Sequence, residues 1–198
     1  MSEPTPSSAL EQGNTTFLVL SDTHDTSFPG PSTLPKADVA IHCGDMTMIG
    51  GLSNYKTFIA NMLAIPAELK LVIAGNHDVS LDPKWWAENL DGGDDPSEPE
   101  KALALFEAQK DKNLFLLSEG THFFKLADRR YFLIYASPYT PAFGGYAFSY
   151  GPDEDRFTKP RDTDEGAWMR VFVDIAVTHG PPAVPEGYGQ YKLDVNRR

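Results

Sequence analysis

Three short, uninterrupted apolar runs punctuate the first half of the chain, and each breaks off into polar residues. Phe17-Leu18-Val19-Leu20 leads into Ser21-Asp22-Thr23-His24, Ala37-Asp38-Val39-Ala40-Ile41-His42-Cys43 leads into Gly44-Asp45, and Leu69-Lys70-Leu71-Val72-Ile73-Ala74 leads into Gly75-Asn76-His77-Asp78. Runs this short, continuous and rich in β-branched residues predict strands buried on both faces, the form strands take in an α/β sandwich. A fourth run, Val171 to Thr178, ends in the same way at His179-Gly180-Pro181-Pro182. Between the second and third runs, Tyr55, Phe58, Ile59 and Met62 recur at helical spacing within Ser53 to Leu63, and Pro66 closes the segment. Strand, helix and strand in that order predict a βαβ unit.

The second half is patterned differently. Thr121 to Leu126 and Arg129 to Ala136 alternate about Ala127-Asp128, which predicts a β-hairpin. Asp91 to Glu100 is acidic and reads as a solvated surface loop, followed by a helical stretch through Ala102, Leu105, Phe106 and Ala108. Residues 1–15 are polar, Pro/Ser-rich and without a periodic apolar face, so they read as a flexible tail before one domain over 16–198. No internal repeat is present.

The polar residues matter most for where they fall. Asp22, His24, Asp45, Asn76, His77 and His179 all sit at the C-terminal ends of candidate strands. In open α/β sheets ligands bind beyond those ends, so residues far apart in the chain can line one crevice. Carboxylates, imidazoles and an amide oxygen suit hard-to-borderline divalent cations. Taken singly, Asp22, Asp45 and Asn76 would read as turn formers. Grouped with histidines at aligned strand ends, they read as metal ligands.

Composition narrows the setting. Of 198 residues, 41% are hydrophobic and 23% charged, as in an ordinary globular domain. Lys+Arg 17 against Asp+Glu 28 gives a net charge of -11, which disfavours long nucleic acid and anionic membrane as partners. The single cysteine, Cys43, rules out an internal disulfide and a Cys-rich zinc or iron–sulfur site; on its apolar strand it reads as a buried, inert thiol. Met1 to Pro6 has neither the basic nor the apolar region of a signal peptide, and no apolar run approaches membrane-spanning length, so the expected location is cytoplasmic. Asn14-Thr15-Thr16 matches a glycosylation sequon, and in that setting reads as ordinary polar tail. Trp85 and Trp86 read as core and helix-start packing, Tyr139 and Phe143 as packing near a pocket mouth, and His42 and His122 as hydrogen-bonded strand histidines rather than ligands.

Asp22-Thr23-His24, Gly44-Asp45, Gly75-Asn76-His77-Asp78 and Thr178-His179-Gly180 resemble, in order and spacing, the motif series of the calcineurin-like metallophosphoesterases. The resemblance runs from about Phe17 to Pro182. Ala136-Ser137-Pro138-Tyr139-Thr140-Pro141 and Thr178-His179-Gly180-Pro181-Pro182 are similar to the metallophosphoesterase-domain branch that acts on cyclic nucleotides or phosphodiesters. The resemblance implies an α/β sandwich of two mixed β-sheets flanked by helices. It also implies two divalent metal ions (Mn, Fe, Zn, Ni or Co): Asp22 and His24 on one, Asp45 bridging both, Asn76 and His179 on the other. His77 would protonate the leaving group, with Asp78 orienting its ring. The implied activity is hydrolysis of phosphodiester or phosphomonoester bonds by a dinuclear metal-activated hydroxide, on a small phosphoester or cyclic nucleotide, with oligomeric state left open.

The family series also includes a later Gly-His-x-His motif that supplies one imidazole to each metal. The residues after Gly180 contain no histidine, so the expectation is a domain lacking its C-terminal part and short of those two ligands. The alternative reading is therefore a catalytically weak or inactive truncated remnant that acts as a binding protein.

Overall fold

The computed structural model describes residues 13–30, 32–142, 144–151, 154 and 173–180. Strands β1 (Phe17–Leu20), β2 (Val39–Cys43), β3 (Leu69–Ile73) and β4 (Leu114–Leu116) form one sheet in sequence order, each parallel to its neighbour. Helix α1 (Leu52–Ala64) joins β2 to β3, and α2 (Pro83–Asn89) and α3 (Glu98–Glu107) lie between β3 and β4. A hairpin of β5 (Gly120–Lys125) and β6 (Tyr131–Ser137) follows, then the short parallel pair β7 (Thr140–Pro141) and β8 (Ser149–Tyr150). Strand β9 (Ile175–Thr178) pairs parallel with β6, giving a second, three-stranded sheet. The fold is the expected α/β sandwich. The first sheet is parallel through all its described strands, and the mixing lies in the second.

Strand alternation decides the layering, because successive side chains leave opposite faces. Val39 and Ile41 of β2 and Leu69, Leu71 and Ile73 of β3 pack against Phe132, Ile134, Ala136 and Val177 of the second sheet. Ala40 and Val72 leave the other face and meet Tyr55, Phe58, Ile59 and Met62 of α1 and Ala102 and Phe106 of α3. Both faces of β2 and β3 are thus covered, which is why they read as continuous apolar runs.

Three local features differ from the pattern reading. Helix α3 starts at Glu98, inside the segment read as an acidic loop: Pro99 occupies its first turn and is buried, and Glu98 and Glu100 lie where the helix dipole favours negative charge. Strand β4 has three residues and β7 and β8 two each, too short to show a periodicity. Among the described residues of the fourth apolar run, Val173 and Asp174 stand outside the strand, which covers Ile175–Thr178. The readings placed on Phe143, on Val171, on Pro181-Pro182, on residues 1–12 and on the chain's C-terminal part lie outside the described residues.

Parallel register sets the function-bearing rim. Phe17 pairs with Val39 and Val39 with Leu69, so β1, β2 and β3 end level with one another. Across the sandwich, Ser137 pairs with Thr178, and the His179 amide donates to the Ser137 carbonyl at 3.2 Å.

Candidate metal centre

The loops leaving β1, β2 and β3 are laced together by their backbones. The Asp22 amide donates to the Gly44 carbonyl, the His24 amide to Asp45 and the Asp25 amide to Met46, all at 3.0–3.1 Å. To make these turns Asp22, His24, Asp25 and Asp45 adopt positive φ of 54°, 42°, 61° and 55°. Left-handed backbone is costly for non-glycine residues and persists where the surroundings enforce it, typically at working sites. Two glycines allow the approach. A Cβ on Gly75 would lie 2.3 Å from both the amide nitrogen and Oδ1 of Asp45, and one on Gly44 would lie 2.4 Å from Nδ1 of His179.

The two imidazoles are held in the same way. His24 Nδ1 lies 3.2 Å from the Thr47 carbonyl oxygen, and His179 Nδ1 lies 2.8 Å from that of Cys43. A carbonyl only accepts, so each ring keeps its proton on Nδ1 and turns the Nε2 lone pair inward. These Nε2 atoms address opposite oxygens of one buried carboxylate: His24 lies 3.5 Å from Asp45 Oδ2 and His179 lies 3.2 Å from Asp45 Oδ1. His179 Nε2 is also 3.0 Å from Asn76 Oδ1. Asp22, His24 and Asp45 each offer a ligand atom, and these atoms lie within 4.8 Å of one another.

This donor set fits a divalent cation. Cys43 O, Asn76 Oδ1 and Asp45 Oδ1 are three acceptors around one imidazole, and a neutral imidazole has one N–H to share among them. A second proton or a cation lying among Nε2 and the two oxygens would satisfy all three. Two ligands at right angles on one ion, each about 2.0–2.2 Å from it, stand about 3 Å apart, and the 3.0 and 3.2 Å separations match that edge. The excess of acceptors also shows in protonation. Burial favours a neutral His179, but Asp45 and the Cys43 carbonyl outweigh it and raise the ring's pKa. Burial likewise opposes ionisation of Asp45, yet its bonds from His179 and the His77 amide leave its pKa lowered.

His77 and Asp78 depart from the expected pairing. The His77 ring is oriented by the Met48 carbonyl, 2.7 Å from Nδ1, and not by Asp78. Asp78 is fully buried, and its carboxylate faces elsewhere: it accepts from the amides of Gly75 at 2.8 Å, Thr47 at 3.0 Å and Met46 at 3.2 Å, and from the Thr47 hydroxyl at 2.9 Å. Burial pushes its carboxyl up to about 6 while those donors pull it down. The reason for the difference is geometric. An acid that gathers three amides from two loops has no oxygen to spare for a neighbouring ring, and Asp78 ties the Asp45 loop to the Asn76 loop instead.

The remaining candidates fall outside the cluster. His42 is a buried core residue whose Nε2 meets the Thr23 hydroxyl at 3.0 Å and whose pKa burial lowers to about 4. His122 Nε2 bonds the Ser118 carbonyl on the second sheet. The Cys43 thiol is partly buried and its pKa is raised by burial. Trp85 and Trp86 pack on the core at the start of α2, and their indole N–H groups donate to the carbonyls of Gly145 and Asp95. Tyr139 packs against Phe148 and lines a cavity of about 340 Å³. Sequence reasoning missed Thr47 and Met48, whose carbonyls orient His24 and His77, and Tyr146, whose ring lies against His77. The first two follow the Gly44-Asp45 motif directly and could have been sought there; Tyr146 lies far downstream without a periodic signal.

A parallel-ended α/β sandwich with carboxylates, imidazoles and an amide oxygen converging at one rim defines a scaffold able to hold a metal ion. The calcineurin-like phosphoesterase family model matches residues 15–197, and the chain belongs to that family. The chain is 33% identical over 187 residues to "Metallophosphoesterase domain-containing protein 1" of Homo sapiens, and to the Mus musculus protein of the same name; each match takes in 92% of this chain and 53% of the relative. It is 31% identical over 182 residues to "Probable rhamnogalacturonate lyase C" of Emericella nidulans, covering 89% of this chain and 15% of that protein. The chain thus spans about half the length of the first two relatives. The family's chemistry is metal-dependent phosphoester hydrolysis, and its members bind divalent metals. Among the described residues no helix is long and apolar enough to cross a membrane.

Proposed function

We propose that the chain hydrolyses phosphodiester or phosphomonoester bonds with two divalent metal ions, Asp22 and His24 holding one, Asn76 and His179 the other, and Asp45 both. The observation that carries this reading is the split use of Asp45: its two oxygens face two different imidazole Nε2 atoms, each presented by a carbonyl-held ring. Such second contacts fix the tautomer and aim of metal-ligating histidines. When bound, a pair of cations acidifies water and neutralises charge on phosphate oxygens. Mn, Fe, Zn, Ni and Co all accept this mixture of oxygen and nitrogen donors.

His77 has the attributes of a proton donor to the leaving oxygen. Its Nδ1 is committed to Met48, and its Nε2 has no hydrogen-bond partner among the described residues. Asp78 acts at one remove, by fixing the loops that carry Asp45 and Asn76. The net charge of -11 favours a small substrate, a phosphoester or cyclic nucleotide, over a polyanion. The lone, partly buried Cys43 agrees with a cytoplasmic setting.

Metal analysis and a panel of bis-aryl phosphate, aryl phosphate and 2′,3′-cyclic nucleotide test the reading. Native chain loaded with Mn²⁺ is expected to hold two ions and turn over at least one of the three. Asp45→Asn is expected to lose the pair and the turnover together, because a neutral amide cannot balance two cations. Two tightly held ions in the variant would refute the bridging role.

A further inference from the structure

Among the described residues His77 has no carboxylate hydrogen-bonded to its ring, yet two other rings pack against it. His24 lies against it, centroids 4.8 Å apart and planes at 83°. Tyr146 lies against it as well, centroids 4.5 Å apart and planes at 34°. With Nδ1 on the Met48 carbonyl, these contacts fix the ring without engaging Nε2.

The segment carrying Tyr146 is built to deliver it. Gly144 and Gly145 take φ of 65° and 76°, and a Cβ on Gly144 would come within 3.0 Å of Tyr146 Cε2, so the phenol ring lies across a position that only glycine leaves open. The Trp85 indole donates to the Gly145 carbonyl at 2.7 Å, and the Phe148 amide donates to Asp82 Oδ2 at 2.9 Å. Both anchors come from the start of α2. Ala147 and Phe148 turn into the core, while Tyr146 turns the other way, to His77.

We propose that Tyr146 is the positioning residue for His77, holding the imidazole face so that Nε2 is aimed at the leaving-group oxygen; this rests on the hydrolase reading above. An aromatic face suits the task because it restrains the ring without competing for its proton. A proton donor aimed in advance spares the transition state the cost of ordering it, and misplacement by about 1 Å can cost 10²-fold.

The test is a double-mutant cycle in the metal-loaded chain, using aryl phosphoesters with good (dinitrophenyl) and poor (phenyl) leaving groups. Tyr146→Ala is expected to lower kcat about 10–100-fold for the poor leaving group, with little change for the good one, in KM or in metal content. Tyr146→Phe keeps the face and is expected to restore kcat. In a His77→Ala background, Tyr146→Ala is expected to cost nothing further. Additive losses, equal losses for both leaving groups, or a rise in KM alone would overturn the proposal. NMR of the His77 ring protons supplies a readout apart from turnover: they are expected to lose their ring-current shift in Tyr146→Ala and keep it in Tyr146→Phe, and unchanged signals in both would also overturn it. Absence of metal-dependent turnover in the native chain would overturn the hydrolase reading and the leaving-group role with it, while the NMR comparison would still decide whether Tyr146 holds the ring.

Discussion

The two ends of the same strands are both crowded with polar side chains, and they are balanced in opposite ways. Before β1 and β2, the Asp38 carboxylate accepts from the amide and hydroxyl of Thr16 at 2.8 Å and from both terminal nitrogens of Arg130 at 3.1 Å. Arg130 also donates to Asp128 and to the Asn14 carbonyl. Every acceptor there meets a donor, and the clasp ties the hairpin turn of the second sheet to the start of the first. At the opposite rim the acceptors face one another across Nε2 of His179, and four residues hold left-handed backbone. One end of the sandwich is balanced by its own donors, whereas the other gathers acceptors that a cation or an added proton would balance. A balanced end secures the fold, and an unbalanced end stores the capacity to bind.

Gly75→Ala strikes the unbalanced end hardest. The new methyl would collide at 2.3 Å with both the backbone and the carboxylate of Asp45, and at 2.8 Å with Cε1 of His179. The backbone must move, so both ions are expected to be lost and turnover with them, at a stability cost of about 1–3 kcal/mol for overpacking. Calorimetric Mn²⁺ titration checks this. Native-like loading would show that the close packing of the two loops is dispensable.

Asp78 separates a structural role from a catalytic one. Asp78→Ala strands three buried amides and a hydroxyl, at a cost of about 3–5 kcal/mol, and is expected to weaken metal binding because the two ligand loops come untied. Denaturant melts with metal titrations measure both. A variant of native stability and metal content that slows only with poor leaving groups would instead restore Asp78 to the role of ring partner.

Much of this was legible in the sequence for a physical reason: burial on both faces writes a continuous apolar run, and the run's end marks the rim. Helix α1 was readable in detail, its four buried residues being Tyr55, Phe58, Ile59 and Met62. Asp22, His24, Asp45, Asn76 and His179 converge because parallel strands align their ends, which order and spacing convey. Hydrogen-bond partners were not readable. The family resemblance implied that Asp78 would orient the ring of His77, but side-chain direction after a tight turn is set by which amides lie within reach. Nor could pattern place Tyr146, whose position depends on two glycine conformations and on an indole donor from another helix.

The smallest effect lies at the balanced end and shows in its pH dependence. Arg130, then the Thr16 amide and hydroxyl, hold the Asp38 carboxyl well below the usual carboxylate range. A lowered folded-state pKa means that folding favours the ionised form. The clasp's contribution is therefore full above the unfolded-chain value of about 4 and fades as pH falls below it. Asp38→Asn is expected to melt below the native chain by a constant margin above about pH 5, the margin shrinking steadily as the pH falls below about 4. The pair is partly exposed, so the margin should also narrow in high salt. Metal content should not change at any of these conditions above pH 5, because Asp38 and the metal ligands sit at opposite ends of the strands. Thermal melts across pH, with metal analysis at pH 7, decide it: a margin that grows as the solution is acidified, or a loss of metal on substituting Asp38, would show that the two rims are coupled and that the division between a securing end and a binding end does not hold.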